Sequence, residues 1–179
     1  GGLVLAANAV LMNFVNLTSF ALDGIAHAAE ALVGKAVGQR NRTSLEESVR
    51  LCLKWSAYFA AGISAAYLVA GQFLVNVLTD LPDVRGATIT YLPWVIISPL
   101  IAVWSFLYDG VYVGATRARE MRDIMIVSTF IVFLPAWYLL QGFGNHGLWA
   151  AFTLFMASRG IGMHIGYRRK LLPAVDAPE

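Results

Sequence analysis

The sequence predicts an all-α integral membrane protein, and three features carry that prediction. Of its 179 residues, 58% are hydrophobic and only 13% are charged, with a mean hydropathy of +0.64; a soluble domain is about a quarter charged. The apolar residues gather in long runs, each able to form a helix that crosses a bilayer. Basic residues gather in alternate gaps between those runs, which is the signature of membrane topology.

Five transmembrane helices can be drawn, at about residues 3–33, 49–78, 88–115, 122–141 and 146–167, each near or above the ~20 residues that span ~30 Å of hydrocarbon. The first three are long enough to tilt or to project beyond it. Gly34 and Gly38 mark the end of the first, and the Thr43 or Ser44 region, followed by Glu46 and Glu47, resembles an N-cap with acid in the first turn of the second. Asp80, Pro82 and Asp83 form the next turn, while Gly142, Gly144, Asn145 and Gly147 separate the last two spans. Pro93, Pro99 and Pro135 fall within spans, where neighbours can satisfy the freed carbonyls; Pro99 is the best candidate for a bend. Residues 171–179 are expected to form a disordered cytoplasmic tail.

Lys35, Arg40, Arg42 and Arg50 lie in one gap, Arg117, Arg119 and Arg122 in another, and Arg168, Arg169 and Lys170 follow the last span. The remaining two gaps hold Arg85 alone. By the positive-inside rule the basic gaps and the C-terminus are cytoplasmic, and the first span starts outside. Trp94, Trp137, Tyr138 and Trp149 fall near the outer interface, as an aromatic belt does. An odd number of spans with an outside start, in a chain that opens at Gly1 without an initiator methionine, leads us to expect a piece of a longer polypeptide with at least one upstream helix.

Several function classes are set aside on composition. A net charge of +2, split among short clusters, gives no nucleic-acid surface. The lone Cys52 cannot close an internal disulfide. His146 and His164 lack partners at metal-ligand spacing, so no metal and no cofactor are expected. Gly34-Lys35-Ala36-Val37-Gly38 lacks the strand, loop and helix of a nucleotide site, and we read it, with Gly160, Gly162 and Gly166, as helix packing. No nucleophile stands beside a base, so an enzyme is not expected.

What remains is an intramembrane polar line. Asn13, Asn16, Asp23, His27 and Glu30 are spaced three, seven, four and three apart, steps that return to one side of a 3.6-residue helix. A carboxylate at that depth costs several kcal/mol unless it faces protein or water, and such a face usually marks a transport pathway. Asp23 and Glu30 are therefore candidate proton or cation carriers, and His27 a relay or a partner for Asp23. Glu30, Asp109 and Arg159 lie at comparable depth and suggest an ion-pair cluster, with Arg159 and Glu30 as one pairing. Asn13 and Asn16, with Asn8, suit either a substrate or plain interhelical hydrogen bonding. Phe20, Trp104, Tyr108 and Tyr112 would furnish an apolar, cation-attracting wall.

Two segments go further. The stretch Ala28 to Gln39, with its V-G-x-x-x-G wording at Val33 to Gly38, resembles the end of the eighth helix of multidrug and toxic compound extrusion (MATE) transporters. Leu107 to Arg122, containing Gly114-Ala115-Thr116-Arg117-Ala118-Arg119-Glu120-Met121-Arg122, is similar to the end of the tenth helix, and in particular to the DinF-like branch. The resemblance implies a fold of twelve helices in two six-helix lobes, of which these spans would be helices 8–12, the larger part of the C-terminal lobe. It implies that Asp109 occupies an acidic position used in cation coupling, that Asp23 and Glu30 line the lobe, and that the main proton site of the DinF-like branch is an aspartate of the first helix, which is missing here. The expected function is efflux of cationic or amphipathic small molecules across a bacterial inner membrane by antiport, with H+ favoured over Na+ and the missing N-terminal lobe as partner. A lipid-linked oligosaccharide flippase and a non-transporting membrane scaffold are the alternatives.

Overall fold

The computed structural model describes residues 1–175. It places α1 at Gly2–Gly38, α2 at Arg42–Leu78, α3 at Pro82–Gly114, α4 at Ala118–Val127, α5 at Leu134–Leu139 and α6 at Gly144–Gly166. A π-helical stretch, Ser128–Phe133, joins α4 and α5 into one rod, so five long helical units run through the bundle. Four of them, Gly2–Gly38, Arg42–Leu78, Pro82–Gly114 and Ala118–Leu139, are long and apolar enough to cross a membrane. The fifth, α6, has 23 residues, about 35 Å at 1.5 Å per residue, which is also a bilayer's reach.

The expected spans correspond to these units, but the first three helices run further than their apolar cores. α2 begins at Arg42, seven residues before the expected span at 49, because its polar first turns project past the hydrocarbon. Its N-cap is Asn41, whose side chain accepts from the Ser44 amide at 2.9 Å, and not Thr43 or Ser44. The chain turns there through Arg40 in the left-handed region, at φ 48°. At the other end of α2, Arg85 donates from Nε to the Thr79 carbonyl at 2.7 Å and from Nη2 to that of Asn76 at 2.9 Å. The one basic residue on that side of the protein thus caps a helix C-terminus, where a cation complements the dipole. α3 then opens on Pro82, whose missing N–H costs nothing at a first helical position, with Asp83 in its first turn.

α3 is the central helix, packed against α1, α2 and α6. Pro93 and Pro99 both lie inside it without breaking it. The carbonyl that Pro99 leaves without its i+4 donor is that of Val95, and the Ser98 hydroxyl donates to it at 3.1 Å. The Ser64 hydroxyl of α2 donates to the neighbouring Ile96 carbonyl. The wide turn sits instead before Pro135, at Ser128–Phe133, a common relief for a strained ladder. Where a tail was expected from Leu171, helical structure continues through Tyr167–Leu171 and Leu172–Ala174, and Leu171 and Leu172 are buried against the basic end of the core. The rest of that expected tail, after Val175, lies outside the described residues.

Glycines set the closest approach. A Cβ on Gly110 would run into the Ala26 carbonyl, and one on Gly114 into that of Glu30, so α1 and α3 meet backbone to backbone over this turn. Gly34 faces Gly114 across the same seam, whereas Gly38 has open space around it. Gly160, Gly162 and Gly166 pack α6 on Trp104, Ile124 and Tyr112. The packing reading thus fits every one of these glycines except Gly38.

Gly110→Ala is expected to lower stability by about 1–3 kcal/mol, the usual range for overpacking, because its neighbour is backbone and cannot rotate away. Thermal unfolding of the full-length protein in detergent checks this, with Gly62→Ala, which meets nothing within 4 Å, as the control expected to be neutral or slightly stabilising.

Candidate functional site

The seam between α1 and α3 positions the charged residues. Gly110 is pressed on α1, so its neighbour Asp109 lies one step around α3, toward α6. There Arg159 meets it: Nη2 donates to Oδ1 at 2.9 Å and to Oδ2 at 2.8 Å. The Arg159 side chain is 12% exposed and that of Asp109 30%. The guanidinium also lies over the Phe155 ring, 5.7 Å from its centroid, and its Nε is buried without a hydrogen-bond partner among the described residues. Asp23, half-buried on α1, is near enough for its charge to act on Asp109. Three helices thus converge on two carboxylates and one guanidinium inside a membrane-spanning bundle, at the end of the bundle that carries the basic gaps.

Of the cluster expected from depth, Asp109 and Arg159 pair and Glu30 does not join them. Glu30 is approached by His27, at 3.4 Å between Oε2 and Nδ1. Both side chains are substantially exposed, and such a pair contributes little. His27 therefore pairs with Glu30 in place of Asp23. Asp23, four residues before His27, and Glu30, three after it, are both its neighbours on the helix surface, so spacing alone does not choose between them, and it is Glu30 that comes within 4 Å.

The polar line on α1 is real as a face. Asn13, Asn16, Phe20 and His27 are exposed, Asp23 and Glu30 half-buried, while Leu11, Phe14, Thr18, Leu22, Ala29 and Val33 turn into the core. Asn13 donates back to its own helix, to the Ala9 carbonyl at 3.0 Å. Asn8 is structural: it exchanges amide hydrogen bonds of 2.8 and 2.9 Å with Asn145 and accepts from the Trp149 indole at 3.1 Å, tying α1 to α6.

Trp104, Tyr108 and Tyr112 do not stand on this face. Tyr112 is fully buried and donates to the Met163 carbonyl at 2.9 Å. Tyr108 is buried with its hydroxyl 2.5 Å from His164 Nδ1, and it lines with Trp104 a separate groove between α2, α3 and α6. Of the four aromatics expected in one wall, only Phe20 keeps company with the polar line. Beside the ion pair, one turn further from the basic end, Phe106 and Met156 border a narrow pocket of about 20 Å³ that also touches Thr18, Ser19 and Thr153. That is room for one water.

Sequence reasoning missed the Tyr108–His164 contact and the Tyr67 hydroxyl, which is 3.0 Å from that of Thr18 and donates to the Phe14 carbonyl at 3.0 Å. A buried tyrosine must find a partner for its hydroxyl, but no spacing rule names a partner on another helix.

Comparison with known proteins decides the family. The family model described as MatE matches residues 1–139. The chain belongs to the MatE family. It is 40% identical over 169 residues to DNA damage-inducible protein F of Escherichia coli (strain K12), covering 94% of this chain and 37% of that protein. To the probable multidrug resistance protein NorM of Rhizobium meliloti (strain 1021) it is 24% identical over 190 residues, covering 99% of this chain and 40% of the relative. The chain therefore spans about two fifths of the length of these relatives. The fold is that of the eukaryotic MATE transporter AtDTX14, with a TM-score of 0.88 at 15% identity over 98% of this chain and 41% of that one. An inward-facing multidrug resistance MATE transporter of the MOP superfamily aligns with a TM-score of 0.78 at 17% identity, over 97% of this chain and 42% of the other. The resemblance read from Ala28–Gln39 and Leu107–Arg122 is borne out, the DinF-like wording included.

The geometry predicts that Asp109 and Arg159 are energetically coupled. Asp109→Asn and Arg159→Gln should each lower stability by about 1–3 kcal/mol, the range for a charged hydrogen bond with one partner left unpaired. The double variant should lose less than the sum, by about 1 kcal/mol or more in a double-mutant cycle, read by thermal unfolding of the full-length protein.

Proposed function

We propose that this chain is the larger part of the C-terminal lobe of a secondary active exporter of cationic or amphipathic small molecules, seated in a bacterial inner membrane with its basic end and C-terminus in the cytoplasm. The observation that carries this is the Asp109–Arg159 pair, held inside the bundle with Asp23 beside it. Ionised groups persist at such depth only where they face protein or water, and they mark pathways by default. The α1 face bearing Asn13, Asn16, Asp23, His27 and Glu30 is uncovered by this chain, and a polar face cannot be left to hydrocarbon. The remaining three fifths of a MATE-length polypeptide supplies the opposite wall.

The chemistry of coupling follows from valence. Ionised Asp109 satisfies Arg159; a proton on Asp109 removes the acceptor's charge and leaves a buried guanidinium to find another anion, for which Asp23 is the nearest candidate on α1. A cationic substrate entering the cleft competes with Arg159 for the same carboxylates. Proton and substrate thus compete for the same carboxylates, so that binding of either excludes the other, which is the requirement for exchange. Sodium would act at the same carboxylates. Glu30 is a secondary carrier at the basic end, and Asn13, Asn16, Phe20 and His27 line the entry.

In cells carrying the full-length protein, Asp109→Asn is expected to cut pH-dependent ethidium efflux by about tenfold or more, within the roughly 5–150-fold that a coupling between two ligands is worth, with the protein still present in the membrane. Unaltered pH-dependent efflux would remove Asp109 from coupling. Of the alternatives, the flippase loses ground because the arginine within the spans, Arg159, is already committed to Asp109. The scaffold is separated by accessibility: cysteines placed at Asn16, Asp23 and Glu30 should react with a membrane-impermeant thiol reagent, and labelling that changes when substrate is added marks a wetted pathway, whereas a scaffold keeps all three sealed.

A further inference from the structure

The groove between α2, α3 and α6 lies on the side of α3 away from the polar face of α1, and the export reading does not use it. It has a volume of about 530 Å³ and a lining that is apolar save at one end. Leu100 and Trp104 of α3, Leu53 of α2 and Gly160 of α6 form its walls; Tyr108 and His164, hydrogen-bonded at 2.5 Å, close it toward the basic end. From Leu100 to Tyr108 it extends about 12 Å at 1.5 Å per residue, close to the ~15 Å depth of one leaflet.

Its mouth is basic. Arg50 precedes Leu53 by three residues on α2, and Arg168 follows His164 by four on α6, so each stands one turn beyond a lining residue on the same face. Both are exposed, and the charge of Arg168 reaches Tyr108. Two acids precede Arg50 by one turn on α2: Glu46 is held by Arg42 at 3.0 Å, and Glu47 is exposed. Neither Arg50 nor Arg168 has an ion-pair partner among the described residues.

We infer that this groove binds an anionic phospholipid of the leaflet at the basic end, one acyl chain lying against Trp104 and Gly160 and the phosphate between Arg50 and Arg168. Length favours a lipid over a compact drug, because the groove runs one leaflet deep and opens sideways along the helices. Charge favours an anionic headgroup, since two guanidinium groups at the mouth repel the cationic substrates proposed for the other face. Tyr108 and His164 supply the polar rim at the level of the glycerol esters.

The test uses the full-length protein reconstituted in vesicles of phosphatidylcholine with a minor fraction of acyl-brominated lipid, either phosphatidylglycerol or phosphatidylcholine. The difference between wild type and Trp104→Phe isolates the emission of Trp104, which bromine quenches on contact. The expected result is quenching of Trp104 by brominated phosphatidylglycerol at roughly one tenth the mole fraction needed for brominated phosphatidylcholine, the preference that two arginines near an anionic headgroup give. That preference should vanish in Arg50→Gln/Arg168→Gln. Equal quenching by the two lipids, or a preference that survives the double substitution, overturns the anionic-lipid assignment. Absence of quenching by either lipid, together with loss of Trp104 emission on adding ethidium, also overturns it and gives the groove to a substrate. Efflux through the α1 face is unaffected by any of these outcomes, so failure here is distinct from failure of the export reading.

Discussion

The contact on which the rest of this lobe depends is the backbone seam between α1 and α3 at Ala26–Gly110 and Glu30–Gly114. In a membrane, helices gain little by hiding apolar surface from one another, and close backbone approach through small residues is what holds them together. Here the seam also has a consequence for charge. By pressing Gly110 on α1 it fixes the rotation of α3, and that rotation turns Asp109 toward Arg159 of α6 while keeping it within reach of Asp23. On the far side of the same helix it turns Trp104 and Tyr108 into the α2–α6 groove. One packing choice therefore separates a charged face from a lipid-like one.

The seam explains why the polar network is tolerated. A guanidinium and a carboxylate cost several kcal/mol each when taken out of water, and mutual attraction offsets this only when the geometry is good. The pair here has two hydrogen bonds within 2.9 Å and a ring beneath the guanidinium, but the Nε stays unpartnered. On the export reading proposed above, such a pair is satisfied enough to fold around and incomplete enough to be exchanged. A purely structural latch gains nothing from leaving a donor unmatched, since apolar side chains would hold α3 to α6 as well.

The sequence made the helices legible because hydrocarbon imposes a length on each run, and it made the polar face of α1 legible because one helix has one period. What it could not supply was azimuth between helices. Depth along the chain put Glu30, Asp109 and Arg159 at one level, yet only the rotation of α3 decides that Arg159 meets Asp109. The same ignorance placed Trp104 and Tyr108 in one wall with Phe20, although they project from another side of the bundle. Helix ends were missed for a different reason: Asn41, Arg42 and Glu46 are polar because they stand outside the hydrocarbon, and polarity at a span's edge reads as loop. The wide turn before Pro135 left no signal at all, since Pro93 and Pro99 present the same residue type and remain in regular helix.

That last contrast bears on which part of the lobe can move. Around Pro99, hydroxyls from Ser98 and Ser64 attend to the Val95 and Ile96 carbonyls, and α3 is clamped by α1, α2 and α6 along its length. Around Pro135 the ladder loosens over Ser128–Phe133, and the rod from Ala118 to Leu139 is only lightly buried, its one fully enclosed side chain in that stretch being Ser128. π-helical turns are rare, and inside α-helices they fall frequently at functional sites. The closely packed frame is α1, α2, α3 and α6, and the least enclosed element is the rod from Ala118 to Leu139 that packs on α6.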